Sequence, residues 1–184
     1  IGGVENICKY LVEGTEKHET AVVCFNESCK DTIDIVNGHT IYRVGTWVNI
    51  ARQALSFSYF SVLRKAIKEF QPDVIQFHWA NPFPAWVLLC VIPKNVKLII
   101  HWHMDIIKQK RIYPFIKPIE KALLKRADII CVTSPQYRDG SLPLQPFKEK
   151  VRIVQNAINE KNYILEEGDR EKIEAVKAKY NSSQ

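Results

Sequence analysis

Apolar residues recur along this chain with two periods that alternate. Val4, Ile7, Cys8 and Leu11 fall on one helical face directly after Gly2-Gly3. "ETAVVCF" is then a short β-branched run. Asn37-Gly38 sits between two alternating segments in "DTIDIVNGHTIYRVG", which predicts a tight hairpin. "SFSYFSVLRKAIKEF" returns to helical spacing, with Tyr59, Val62, Leu63, Ala66, Ile67 and Phe70 on one face. "PDVIQFH", "VKLIIHWH", "DIICVTS" and "KVRIVQNAI" read as strands, with the helices "PFPAWVLLCVI" and "YPFIKPIEKALLKRA" between them. The tail "GDREKIEAVKAKYNSSQ" is polar and helix-prone.

Short, nearly continuous apolar strands alternating with helices are the pattern of a parallel sheet covered on both faces. The expected fold is therefore a doubly wound α/β sheet. In such sheets ligands bind beyond the carboxyl ends of the strands. Those ends are polar here: His78-Trp79-Ala80-Asn81, His101-Trp102-His103-Met104-Asp105, Thr133-Ser134 and Asn156-Ala157. Their recurrence at one edge predicts a cleft there, with His101 at a buried strand edge and His103 in the opening.

"HWHMD" also invites a metal reading, because alternate residues of an extended segment point the same way. His101, His103 and Asp105 could then converge on one ion. His18, His39 and His78 show no spacing that would complete the set, and Ile106 stands where a further histidine would be needed. No metal site is expected. The glycines lack both the phosphate-loop and the dinucleotide-binding spacings. No Asp-x-Asp occurs; Asp31 and Asp34 lie three apart in a hairpin strand.

Composition narrows the partners. At 184 residues with 46% hydrophobic content, the chain can bury one full core. No apolar run approaches the roughly 18 residues of a membrane span. Five cysteines, an odd number lying mostly in apolar stretches, read as free buried thiols. A net charge of +6 favours anionic partners. Lys108, Lys110 and Arg111, beside Tyr113, Phe115 and Ile116, suit an anionic lipid surface or an acceptor phosphate. Lys117, Lys121, Lys125 and Arg126 read as a charged outer helix face. The basic-aromatic signature of an RNA-binding sheet is missing, so nucleic acid is not expected as a partner.

Taken in order, "IGGVEN", "PDVIQFHWANP", "HWHMDIIKQK", "LLKRADIICVTSPQY" and "KVRIVQNAIN" resemble the N-terminal half of family 4 glycosyltransferases of the GT-B fold. The nearest subgroup in appearance is the hexosyl or mannosyl transferases of bacterial surface-polysaccharide assembly. Met104 stands where that group has Ser, and Ala157 where it has Gly. The resemblance implies a Rossmann-like domain over residues 1–163, apparently without its first strand. Residues 164–184 would be a polar helical linker toward a second domain. It implies retaining transfer of a hexose from a nucleotide-diphosphosugar to a glycan or lipid-linked acceptor, with no cofactor and no essential metal. His103 would be catalytic, Gly2 and Gly3 would form a loop for the donor diphosphate, and His78, Asn81, Asp105, Lys108 and Gln109 would lie on the acceptor side. Residues 1–184 alone would be inactive, and the location would be cytoplasmic, at the inner face of the plasma membrane. The alternatives are a non-catalytic GT-B-like binding or scaffold module and a nucleotide-sugar epimerase of the same architecture.

Overall fold

The structure, a computed structural model, describes residues 3–15, 17–50, 53–79, 81–106, 111–156, 164 and 168–180. Helix α1 (Gly3–Glu13) carries the expected face: Val4, Ile7, Cys8 and Leu11 are half-buried while Glu5, Asn6 and Lys9 are exposed. Strand β1 (Ala21–Asn26) pairs parallel with β3 (His39–Gly45), which pairs antiparallel with β2 (Thr32–Val36). The β2–β3 turn is the tight hairpin the sequence predicts. Asn37 (φ 52°) and Gly38 (φ 82°) both take left-handed backbone, which those two residue types accept most cheaply. A small antiparallel ribbon follows, β4 (Val48–Ile50) with β5 (Gln53–Leu55), unanticipated from the sequence because each strand is only three residues long.

Helix α2 (Tyr59–Phe70) buries Tyr59, Leu63 and Ala66 and stops at Gln71, whose left-handed backbone returns its N–H to the carbonyl of Ile67. From there the chain winds regularly through β6 (Val74–Trp79), α3 (Pro82–Val91), β7 (Lys97–Trp102), α4 (Tyr113–Arg126) and β8 (Ile129–Val132). It continues through α5 (Pro135–Gly140), a 3₁₀ segment over Leu142–Lys150, β9 (Val151–Ile153) and α6 (Asp169–Tyr180). Strands β6, β7, β8 and β9 form a parallel sheet in that order.

The doubly wound α/β class is thus present, but the expected single sheet is in two pieces. Among the described residues, β1 is paired only with β3, and β6 only with β7. All six residues of β1 stay half-buried, as a strand open on one edge should. The two pieces nevertheless share a core. Val44 of β3 belongs to the same buried cluster as Trp79, Leu98, Ile100 and Ile130, with Val23, Phe25, Ile75 and Phe77 packed against it. Helix α2 bridges them through Tyr59, whose ring lies 5.0 Å from Phe25 and 5.9 Å from Phe83.

At the amino ends of the parallel strands, one carboxylate holds three elements. Asp128 accepts from Lys97 Nζ (3.0 Å), the Leu98 amide (2.9 Å) and Arg126 (3.3 Å). These bonds hold its carboxyl below the usual carboxylate range, led by the Leu98 amide. Arg126 also donates to the carbonyls of Pro93 and Val96, and Lys150 to those of Lys125 and Ala127. Arg126 is therefore a brace, not the outer-face charge expected from the sequence. The thiols also depart from expectation: Cys29 and Cys90 are exposed, and Cys8, Cys24 and Cys131 are half-buried, none of them paired.

Gly45 closes β3 where the backbone of Cys29 passes. A β-carbon there would lie 2.3 Å from the Cys29 carbonyl oxygen and 2.8 Å from the Lys30 nitrogen. Because backbone must move to relieve the clash, Gly45→Ala should cost about 1–3 kcal/mol, the range for overpacking. Urea unfolding followed by circular dichroism checks this; an unchanged midpoint contradicts the close approach.

Candidate active site at the carboxyl edge of the parallel sheet

The β6–β7 register builds the site. His78 lies opposite His101 and Trp79 opposite Trp102. Side chains alternate across a strand, so the histidines share one face and the tryptophans the other. The two indoles stack at 5.1 Å and 8°, both fully buried. On the opposite face, His103 continues the line of His101 just past the end of β7. The three imidazoles lie within 5.2 Å of one another, centroid to centroid.

His101 is buried, as the sequence suggests, and its Nε2 has no hydrogen-bond partner among the described residues. His103 is half-buried at the opening. His78 Nδ1 and His103 Nε2 stand 2.9 Å apart. With ring planes 15° apart and centroids separated by 5.2 Å, that contact runs along the line of both rings. Such a head-on contact holds one hydrogen between two nitrogens. Three histidine nitrogens can be chosen within 4.8 Å of one another, so His78 supplies the third nitrogen that spacing alone did not reveal. An ion would require their lone pairs to converge, whereas those of His78 and His103 face each other.

Burial keeps these rings neutral. His78 is pushed down to about 4 by burial and then by its His103 and His101 neighbours, and His103 to about 4 by burial and then by His101. Burial also lowers His101. Gln76, two residues before His78 on the same face, brings its amide nitrogen 3.2 Å from His78 Nε2. Sequence reasoning passed over Gln76, although its place two residues from His78 on a strand was a usable signal.

Asp105 takes no part in the histidine cluster. Its Oδ1 accepts from Trp102 Nε1 (2.8 Å), Ser141 Oγ (2.8 Å) and, at greater length, Tyr137 hydroxyl (3.4 Å). The carboxylate therefore ties the segment after β7 to α5 and the start of the 3₁₀ run. Burial, with Asp105 nearby, pushes Tyr137 up to about 12. Asn81 is likewise engaged by the fold, its Oδ1 accepting from the Phe83 amide at 3.3 Å as the cap of α3. Glu120, also missed from the sequence, is buried on α4. It accepts from the Tyr113 hydroxyl at 2.9 Å, and burial raises its carboxyl. Its one-turn spacing from Ile116 and Leu124 places it on the inward face.

Gly3 opens α1, and a methyl group there would meet no atom within 4 Å. Gly2, Lys108, Gln109, Lys110 and Ala157 lie outside the described residues; Arg111 is exposed.

The model of Glycosyltransferase Family 4 matches residues 1–162. The chain belongs to glycosyltransferase family 4. The four-stranded parallel sheet flanked by helices is that of a Rossmann-like half of a GT-B enzyme. The chain is 25% identical over 165 residues to the D-rhamnosyltransferase WbpZ of Pseudomonas aeruginosa, covering 89% of this chain and 42% of that protein. It is 26% identical over 160 residues to the O-antigen chain mannosyltransferase C of Escherichia coli, covering 83% and 41%. The chain thus spans about two-fifths of the length of these relatives.

The neutral histidines carry a pH consequence. Unfolded, they take up protons below the ordinary value of 6.5; folded, His78 and His103 refuse them until about 4. The unfolded state therefore binds more protons in that window, and stability should fall as pH drops from 6.5 toward 4. Glu120, whose folded carboxyl is raised, works in the opposite sense, so the histidine part is read as a difference. The slope of urea midpoint against pH should be flatter in His78→Phe than in the wild type. Equal slopes would mean that these rings titrate freely in the folded protein.

Proposed function

We propose that this chain is the acceptor-side half of a retaining glycosyltransferase of surface-polysaccharide synthesis. It moves mannose or a related hexose from a nucleotide-diphosphosugar to a glycan or lipid-linked acceptor. The observation that carries the reading is the position of His103, held neutral at the carboxyl end of β7 in a chain matched to family 4 over residues 1–162. The names of the two relatives, a D-rhamnosyltransferase and an O-antigen mannosyltransferase, support the choice of sugar and pathway class.

A neutral imidazole offers a hydrogen-bond donor without placing a full charge in the cleft. That suits a hydroxyl of the donor sugar while charge develops on the leaving diphosphate. Gly3, with free space above it, suits a loop where a diphosphate meets helix N–H groups. Asp105 is bonded to three protein donors through one oxygen, so we assign it to holding the site and not to attack on the sugar. The chemistry we infer rests on stabilising the leaving group and an oxocarbenium-like centre, with no essential metal. Among the described residues no helix is long and apolar enough to cross a membrane. We place the protein in the cytoplasm, with an anionic membrane surface met through Arg111 and the neighbouring Lys108 and Lys110.

The test is a donor screen with the full-length gene product and with residues 1–184 alone, using GDP-mannose, GDP-D-rhamnose, UDP-glucose and UDP-galactose. The full-length protein should transfer one of these sugars; the 184-residue chain should transfer none. Turnover by the shorter chain would contradict a donor site shared with a second domain. Donor binding without transfer by the longer one would favour a binding module. In the active protein, His103→Ala should lower kcat roughly a hundredfold, the cost of losing the hydrogen bond that positions the reacting sugar. Melting temperature should fall by only a few degrees, because the substitution leaves His78 Nδ1 without its partner but keeps the core intact. A lower melting temperature with full activity per folded molecule would make His103 structural.

A further inference from the structure

We propose that His78 is a positioning residue, and that together with Gln76 it fixes the hydrogen of His103 on Nδ1, so that the ring faces a ligand as a donor. The proposal rests on the reading of His103 as the group that meets the substrate, and it gives that group a defined polarity.

The argument follows the hydrogens from the edge of the sheet inward. An amide nitrogen can only donate, and Gln76 Nε2 stands 3.2 Å from His78 Nε2. His78 Nε2 is therefore the acceptor, and a neutral His78 must carry its hydrogen on Nδ1. Nδ1 is the atom that faces His103 Nε2 at 2.9 Å, so His78 donates and His103 accepts. A neutral His103 then has its hydrogen on Nδ1. The alignment of the two rings makes this link stiff, because an in-line N–H···N bond loses strength when either ring turns. The same amide also lies 3.5 Å from His101 Nδ1, a long contact that leaves the His101 hydrogen on the buried Nε2, which has no partner among the described residues. One glutamine on β6 thus orders three rings carried by β6, β7 and the segment just after β7.

The shared face comes from the backbone. Gln76 and His78 are two apart on β6, His101 and His103 two apart across the end of β7, and His78 lies opposite His101 in the register. Sliding one strand by a residue would replace the histidine with a tryptophan.

The experiment reads ring tautomers in the ¹⁵N-labelled protein by long-range ¹H–¹⁵N correlation near pH 7, and it needs no substrate. In the wild type, His78 and His103 should each show a protonated Nδ1 and a bare Nε2. His78→Asn can place an amide N–H where the ring Nδ1 stood, and with that donor in place His103 keeps its tautomer. His78→Asp, of the same shape, offers only an acceptor there, and His103 should move its hydrogen to Nε2. Gln76→Glu, at an exposed position that the fold tolerates, should reverse both rings without touching either histidine. A wild-type His103 protonated on Nε2, or a His103 in the Asp variant that keeps a bare Nε2, overturns the proposal. So does a Gln76→Glu protein whose ring signals match the wild type. Because no sugar is involved, a failed transfer assay removes the functional reading while these signals judge the positioning by themselves.

Discussion

The parallel register between β6 and β7 is the constraint on which the rest of this structure depends. It sets Trp79 on Trp102 in the core and His78 against His101 on the opposite face. Because side chains alternate with a period of two, a slip of one residue in either strand would turn its imidazole among aliphatic chains and bring its indole onto the histidine face. The stacked indoles stabilise the register from below, with 5.1 Å between their centroids. The network around Asp128 does so from the amino end, linking Lys97, Leu98 and Arg126. Core packing and the histidine cluster are consequences of one alignment.

At the carboxyl end, rigidity comes from polar contacts. Asp105 receives an indole, a hydroxyl and a phenol on one oxygen, so the segment carrying His103 is tied to β7 itself, to α5 and to the start of the 3₁₀ run. His103 sits two residues before that anchor and is met from the side by His78. A catalytic group on a loop gains precision when both its flanks and its ring nitrogens are held. The desolvation that lowers the three histidines also strengthens the hydrogen bond between His78 and His103. A neutral donor is a group that can approach a sugar hydroxyl near a diphosphate without forming an ion pair with it. In this way the burial of the cluster joins the packing of the sheet to the chemistry proposed for family 4 transfer.

The other piece of sheet plays a different part. Its strands carry the hairpin at Asn37-Gly38 and the close passage at Gly45, and it meets the parallel sheet through α2 and the shared aliphatic core. Among the described residues β1 and β6 each pair with a strand on one edge only; β1 is half-buried throughout, and Gln76 on β6 is exposed. An exposed Gln76 is free to turn its amide toward His78.

Much of this was legible in the chain itself, because it rests on local patterns. Apolar strands alternating with amphipathic helices specify a parallel α/β sheet whatever their partners, and Asn37-Gly38 specifies a turn through its own backbone preferences. The polar residues at the ends of β6, β7 and β8 marked the carboxyl edge, and the placement of His101 inside and His103 outside followed from where the apolar run of β7 stops. Tertiary structure alone decided the rest. Residues 78 and 101 are 23 positions apart, and no spacing rule says that two strands will align at those two residues. Separations of 30 to 36 positions likewise hid the roles of Asp105, which accepts from Tyr137 and Ser141 as well as from Trp102, and of Arg126, which donates to the carbonyls of Pro93 and Val96. Whether a polar side chain faces a ligand or closes a hydrogen bond within the fold depends on which neighbour lies beside it. Register and packing select that neighbour, and the amino-acid pattern of a single segment does not.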